Sequence, residues 1–132
     1  MKFVHAADLH VDSPLRGLEH YEGAPVDRVR LATRVALKNL VSVCLDEGAS
    51  FLIVSGDLFD GDWNDFNTAL FAAGQMRRLR DRGIPVLVIR GNHDSRDEMS
   101  YRVPWPDNLR MLDCENPETV LLEELGVAIH GM

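Results

Sequence analysis

Cysteine is nearly absent: Cys44 and Cys114 are the two in 132 residues, far apart and in no CxxC or zinc-ribbon spacing. That spacing leaves no disulfide framework and no thiolate metal site, and both thiols are expected to be buried, in a reducing compartment. No apolar run approaches the ~20 residues of a membrane span. The chain opens Met1-Lys2-Phe3-Val4 straight into strand-like sequence with no cleavable signal pattern, so a cytoplasmic location without membrane attachment is expected. Internal repeats, low-complexity linkers and composition breaks are also missing, and one domain over residues 1–132 is expected. Basic residues are in deficit, with 14 Lys and Arg against 21 Asp and Glu and a formal charge of −7. That is the wrong sign for gripping nucleic acid along a broad track, but it does not exclude a phosphate substrate where cations offset the acids locally.

What is present is a regular alternation of strand and helix patterns. Lys2 to Ala7 reads as a strand, ended by Asp8. From Pro25 to Glu47, Val29, Ala32, Val35, Ala36, Leu40, Val43 and Cys44 recur at three- and four-residue intervals, predicting an amphipathic helix stopped by Gly48. Phe51-Leu52-Ile53-Val54 is wholly apolar, as in a parallel strand covered on both faces. A second helix is predicted from near Asp62 or Asn64 to Gly83, burying Phe66, Leu70, Ala73, Met76 and Leu79, and Pro85 to Ile89 gives a third strand. This βαβαβ order predicts parallel strands with their carboxyl ends on one edge. Beyond it, Ser95–Tyr101 reads as a short helix, and Leu109–Leu112, Thr119–Leu122 and Val127–His130 as short antiparallel strands of a second sheet.

Each of the first three strands runs directly into a short polar motif: Asp8-Leu9-His10, Gly56-Asp57-Leu58-Phe59-Asp60 and Gly91-Asn92-His93-Asp94. Carboxyl ends of parallel strands are where open α/β sheets bind ligands, so hard oxygen and nitrogen donors from three turns are expected to meet on a pair of divalent metal ions. Asp8 and His10, two residues apart, would share one side of an extended chain. Asp57 follows a glycine at a sharp turn and has two oxygens with which to bridge ions ~3.5–4 Å apart. Asn92 offers a neutral carbonyl oxygen, His93 a proton for a leaving oxygen, and Asp94 an acceptor that fixes the imidazole tautomer. Asp60 has two readings, an acceptor that orients a metal ligand or the cap of the second helix. Taken singly, each motif also fits an ordinary polar turn; their joint placement selects the metal site. Arg16 and Arg96 read as solvated or ion-paired groups before phosphate contacts, and Trp63 and Trp105 as packing residues before base-stacking ones. His5 is placed on the sheet and His20 in a loop, neither with an identified partner.

In this order, DLH, GDLFD and GNHD resemble the first three signature motifs of the calcineurin-like metallophosphoesterase superfamily, over Asp8 to Asp94. The opening from Phe3 to Leu15, FVHAADLHVDSPL, is similar to the DNA-repair exonuclease branch of the Mre11 and SbcD nuclease subunits. The resemblance implies an α/β fold, the four-layer α/β-β/α sandwich, and two divalent ions, Mn²⁺ in that branch. It also implies roles: Asp8 and His10 at the first ion, Asp57 bridging, Asn92 at the second, and His93 near the leaving group. The activity implied is phosphodiester hydrolysis by a two-metal, activated-hydroxide mechanism, with DNA as substrate and an SMC-like ATPase as partner. A small-molecule nucleotide phosphoesterase and a non-catalytic scaffold that associates through an exposed sheet edge are the alternatives. A protein phosphatase fits less well, because the second motif lacks arginine and the third ends in Asp94 where that class has glutamate.

Two departures qualify the resemblance. Asp60 stands where Mre11-type nucleases commonly carry histidine, so no catalytic histidine is carried over to it. The family's further histidine and its final Gly-His-x-His motif have no counterpart after Asp94, where His130 is followed by Gly131 and Met132. The chain is therefore expected to be an amino-terminal part of the catalytic domain, which by itself binds Mn²⁺ weakly and hydrolyses diesters slowly or not at all.

Overall fold

A computed structural model describes residues 1–13, 17, 20–60, 65–90, 103–113 and 115–132. Strand β1 (Val4–Ala7) leads to α1 (Val26–Asp46), β2 (Leu52–Ser55), α2 (Phe66–Arg80) and β3 (Val86–Ile89), followed by β4 (Leu109–Met111), β5 (Glu118–Leu122) and β6 (Val127–Gly131). β1 to β4 form one parallel sheet in that spatial order, and β5 and β6 pair antiparallel as a second. Val4, Leu52, Val86 and Leu109 lie in one row across the first sheet, so its strands reach their carboxyl ends nearly level.

The pleat explains how this sheet is covered, because successive side chains point to opposite faces. Val4, Leu52, Val54, Val86 and Val88 join Leu37, Val41 and Cys44 of α1 and Ala69, Ala72, Ala73, Met76 and Leu79 of α2 in one core. The alternate residues Ile53, Leu87 and Ile89 pack with Phe51, Leu112, Val120 and Ile129 in another, between the two sheets. Helices, parallel sheet and antiparallel sheet are three successive layers of the expected sandwich. Among the described residues no helix covers the outer face of the second sheet, where Leu121 is 62% exposed, and none is long and apolar enough to cross a membrane.

Local chemistry places the helix ends. Asp65 caps α2 by accepting a hydrogen bond from the Asn67 amide at 2.9 Å, so the cap lies just past the positions predicted for it. Gly48 and Gly83 take left-handed backbone (φ 59° and 68°) after the helices, as the stop signals require.

Other expectations need correction. Val35 and Val43 are exposed, and the buried face of α1 is Leu37, Val41 and Cys44, because apolar residues surround this helix and hydropathy alone does not choose a side. On α2, Phe66 and Leu70 are exposed while small Ala69 and Ala72 are buried, letting the helix approach the sheet closely. Residues 109–111 extend the parallel sheet beside β3, where the sequence predicted an antiparallel strand of the second sheet. The segment predicted as a helix over 95–101 lies outside the described residues.

Burial pushes the Cys44 thiol up, as expected of a core cysteine, whereas Cys114 lies outside the described residues. His5 is on β1, as expected, and has a partner the sequence did not reveal, the Ser55 hydroxyl at 2.8 Å.

The two sheets approach closely at Gly131. A Cβ there would stand 2.7 Å from Leu112 Cδ2 and 2.9 Å from Ile89 Cδ1. Gly131→Val is expected to lower stability by about 1–3 kcal/mol through overpacking, with Gly131→Ala milder because the opposing atoms are side-chain tips. Urea denaturation of both variants measures this, and an unchanged midpoint for the valine variant would show that the intersheet space is not tight.

Candidate functional site

The two loops that leave β1 and β2 run side by side beyond the sheet. Amides of Asp8, His10 and Val11 donate to the carbonyls of Gly56, Asp57 and Leu58 at 3.2, 2.9 and 3.0 Å. Extended strand is not what brings Asp8 and His10 together, because β1 ends at Ala7. Asp8, His10 and Asp12 instead take left-handed backbone at φ 53°, 43° and 56°, and Asp57 does so at 47° beside Gly56 at 78°. Non-glycine residues in that region cost ~1–3 kcal/mol each, and they concentrate where surrounding structure enforces them, often at functional sites.

The product of these turns is convergence. One ligand atom from each of Asp8, His10 and Asp57 lies within 4.8 Å of the others. His10 Nε2 is 4.0 Å from Asp57 Oδ2. Donors around one divalent cation stand ~2.0–2.6 Å from it and hence ~3–5 Å apart, so the spacing suits an ion. Two carboxylates and an imidazole form a hard to borderline donor set, appropriate to Mn²⁺, Mg²⁺ or Zn²⁺ and unlike a thiolate site.

Two further groups hold the motif loops, and sequence reading missed the first. The Asp12 carboxylate receives Arg34 Nε at 2.9 and 2.8 Å, Arg34 Nη2 at 2.5 Å and the Thr68 hydroxyl at 2.5 Å, while the Asp12 amide donates to Thr33 Oγ1 at 3.0 Å. Burial alone would raise the Asp12 carboxyl, but the hydrogen bonds from Arg34 and Thr68 and the charges of Arg34 and Arg30 outweigh it and hold the group below the usual carboxylate range. The first motif loop is thereby pinned to α1 and α2 together. The Arg34 guanidinium also lies over the Phe71 ring, 5.1 Å from its centroid.

Asp60 is the second such group. Its Oδ1 is 2.5 Å from His10 Nδ1, and its other oxygen accepts the Ser13 hydroxyl. Of its two sequence readings, the helix cap goes to Asp65 and the contact with a candidate ligand remains. Between Asp57 and Asp60, Leu58 and Phe59 are buried, and Phe59 stacks on Trp105 with ring centroids 6.3 Å apart. Trp105 is thus a packing residue, as expected. Asn92, His93 and Asp94, together with Arg16, Trp63 and Arg96, lie outside the described residues. The third motif's part in the site is therefore a matter of its position in sequence after β3.

The family model for calcineurin-like phosphoesterases matches residues 1–132. The uncharacterised metallophosphoesterase YhaO of Bacillus subtilis (strain 168) is 35% identical over 118 residues, which covers 89% of this chain and 29% of that protein. The DNA double-strand break repair protein Mre11 of Saccharolobus solfataricus is 26% identical over 137 residues, covering 100% of this chain and 33% of that protein. The chain thus spans about a third of the length of these relatives.

Proposed function

The chain belongs to the calcineurin-like phosphoesterase family, and from that premise we propose that the protein containing it is a metal-dependent phosphodiester hydrolase that degrades DNA. The observation that carries the reading is the meeting of Asp8, His10 and Asp57 at the carboxyl ends of adjacent parallel strands. In this reading Asp8 and His10 would hold one divalent ion, Asn92 would hold a second, and Asp57 would contribute to both. Such ions, with Mn²⁺ proposed as the physiological one, polarise a phosphate and make water a nucleophile at neutral pH when bound. His93 delivers a proton to the leaving oxygen, and Asp94 holds that imidazole in the donating tautomer. Asp57 orients its carboxylate from a left-handed turn whose backbone carbonyl is tied to the His10 amide, so donor positions are set before any substrate arrives.

DNA as the substrate draws on similarity to Mre11, whose name is that of a double-strand break repair protein. An SMC-like ATPase partner rests on the motif resemblance alone, and a cytoplasmic place of work on the sequence pattern of the amino terminus and the cysteine usage. A charge of −7 favours the second reading, a small nucleotide substrate that needs no extended basic track. Incubating the full-length protein and Mn²⁺ with linear duplex DNA and, separately, with nucleotide phosphodiesters distinguishes the two. Degraded DNA and loss of activity on chelation are expected. Hydrolysis of nucleotides with DNA left intact would replace the first reading by the second, and no hydrolysis of either would favour a scaffold.

A further inference from the structure

We infer that Asp60 is a positioning residue for the metal site, holding His10 so that Nε2, and not Nδ1, is the nitrogen offered to the ion. The inference rests on the metal-site reading above and adds to it a residue with no ligating part. An imidazole has two nitrogens, and the one that binds a cation is set by what the other one does. Here Nδ1 is 2.5 Å from Asp60 Oδ1, so a proton on Nδ1 is held by a carboxylate. Nε2 is left on the side of Asp57, 4.0 Å from Oδ2.

Asp60 itself is held. The Ser13 amide donates to the His10 carbonyl at 3.0 Å, closing a tight turn, and the Ser13 hydroxyl donates to Asp60 Oδ2. Both ends of one turn in the first motif loop therefore bind the two oxygens of one carboxylate from the second. The left-handed backbone of His10 supplies the chain reversal this needs. A carboxylate behind a ligating imidazole fixes its ring plane and raises its basicity, and loss of such a partner typically costs ~10–100-fold in metal affinity.

The test uses the full-length protein with ¹⁵N-labelled histidine, without metal and at alkaline pH, with the His10 signal assigned by loss in His10→Gln. Wild type is expected to show the Nδ1–H tautomer at His10. Asp60→Asn, which retains an acceptor oxygen, is expected to keep that tautomer, and Asp60→Ala to shift the population toward Nε2–H. Mn²⁺ titration by electron paramagnetic resonance is expected to show binding weakened about 10–100-fold in Asp60→Ala, less in Asp60→Asn, and abolished in Asp8→Ala and Asp57→Ala. Should Asp60→Ala fail to fold, Asp60→Asn and Ser13→Ala carry the comparison, with the serine variant expected to broaden the tautomer distribution.

A wild-type His10 protonated on Nε2 would overturn the inference. Full Mn²⁺ affinity in Asp60→Ala alongside losses in Asp8→Ala and Asp57→Ala would overturn it too, and leave the metal site standing. Unchanged affinity in Asp8→Ala and Asp57→Ala would instead remove the metal site and the inference with it.

Discussion

Asp57→Ala in the full-length protein is expected to reduce phosphodiester hydrolysis at least ~10³-fold in kcat/KM, equivalent to ~4 kcal/mol of transition-state stabilisation. The size follows from position. Asp57 is one of the two carboxylates in the described cluster and the one proposed to reach both ions, so its loss would remove both charge that draws the cations in and the geometry proposed to hold them together. The same variant should lose thermal protection by metal. A ligand at 100 times its Kd adds about 2.7 kcal/mol to the folded state, so wild type should melt higher in Mn²⁺ while the variant melts alike with and without it.

Asp57 also sits at φ 47°, where alanine is strained, so Asp57→Asn is the necessary companion. Asparagine tolerates left-handed backbone and keeps one oxygen, yet has neither the charge nor the second oxygen for a bridge. Its apo stability should equal or exceed wild type, since clustered carboxylates repel one another before a cation arrives. Calorimetry with and without Mn²⁺, beside a turnover assay, checks all of this. Wild-type turnover in both variants would refute the bridging role.

How legible this was differs by level, and the reason is distance along the chain. Strands β1 to β3 and both long helices were readable because their patterns are local: four apolar residues at Phe51–Val54, and a glycine-stopped apolar repeat in each helix. The three motifs were readable because each follows a strand directly. Two things were not. The buried side of α1 was misjudged because Leu31, Val35 and Val43 are exposed while Leu37 and Val41 are buried, a choice made by the sheet beneath and not by the helix.

The role of Asp12 was hidden, and the partner of Asp60, read as an acceptor for a ligand or as a cap, was left open, because their partners are remote. Asp12 meets Arg34 and Thr68 across 22 and 56 residues, and His10 meets Asp60 across 50. No spacing rule reaches that far. The convergence of Asp8 and His10 was expected for an incorrect reason: alternation along a strand was invoked, and left-handed turns achieve it.

Phe59→Ala should be the most damaging change that touches no donor atom. Phe59 is 1% exposed and among the largest fully buried side chains, set against Trp105 in the core between the helices and the parallel sheet. Removing it is expected to cost about 3–5 kcal/mol, a large part of the ~5–15 kcal/mol that stabilises a typical domain. The consequence for the site follows from connectivity. Asp57 and Asp60 flank the buried Leu58-Phe59 pair, so these two apolar side chains are the anchors that keep the intervening loop at the end of β2. With the ring gone, the loop loses the side chain that sets its height above the sheet, and the Asp57 and His10 donors lose their common position. Mn²⁺ affinity should therefore fall in Phe59→Ala even at a temperature where the variant is folded, whereas Phe59→Leu, which refills most of the volume, should recover both stability and binding. Urea denaturation measures the first effect and metal titration the second. A stability loss with unchanged metal affinity would show that the loop keeps its position without the Phe59 ring, and that Phe59 serves the core without serving the site.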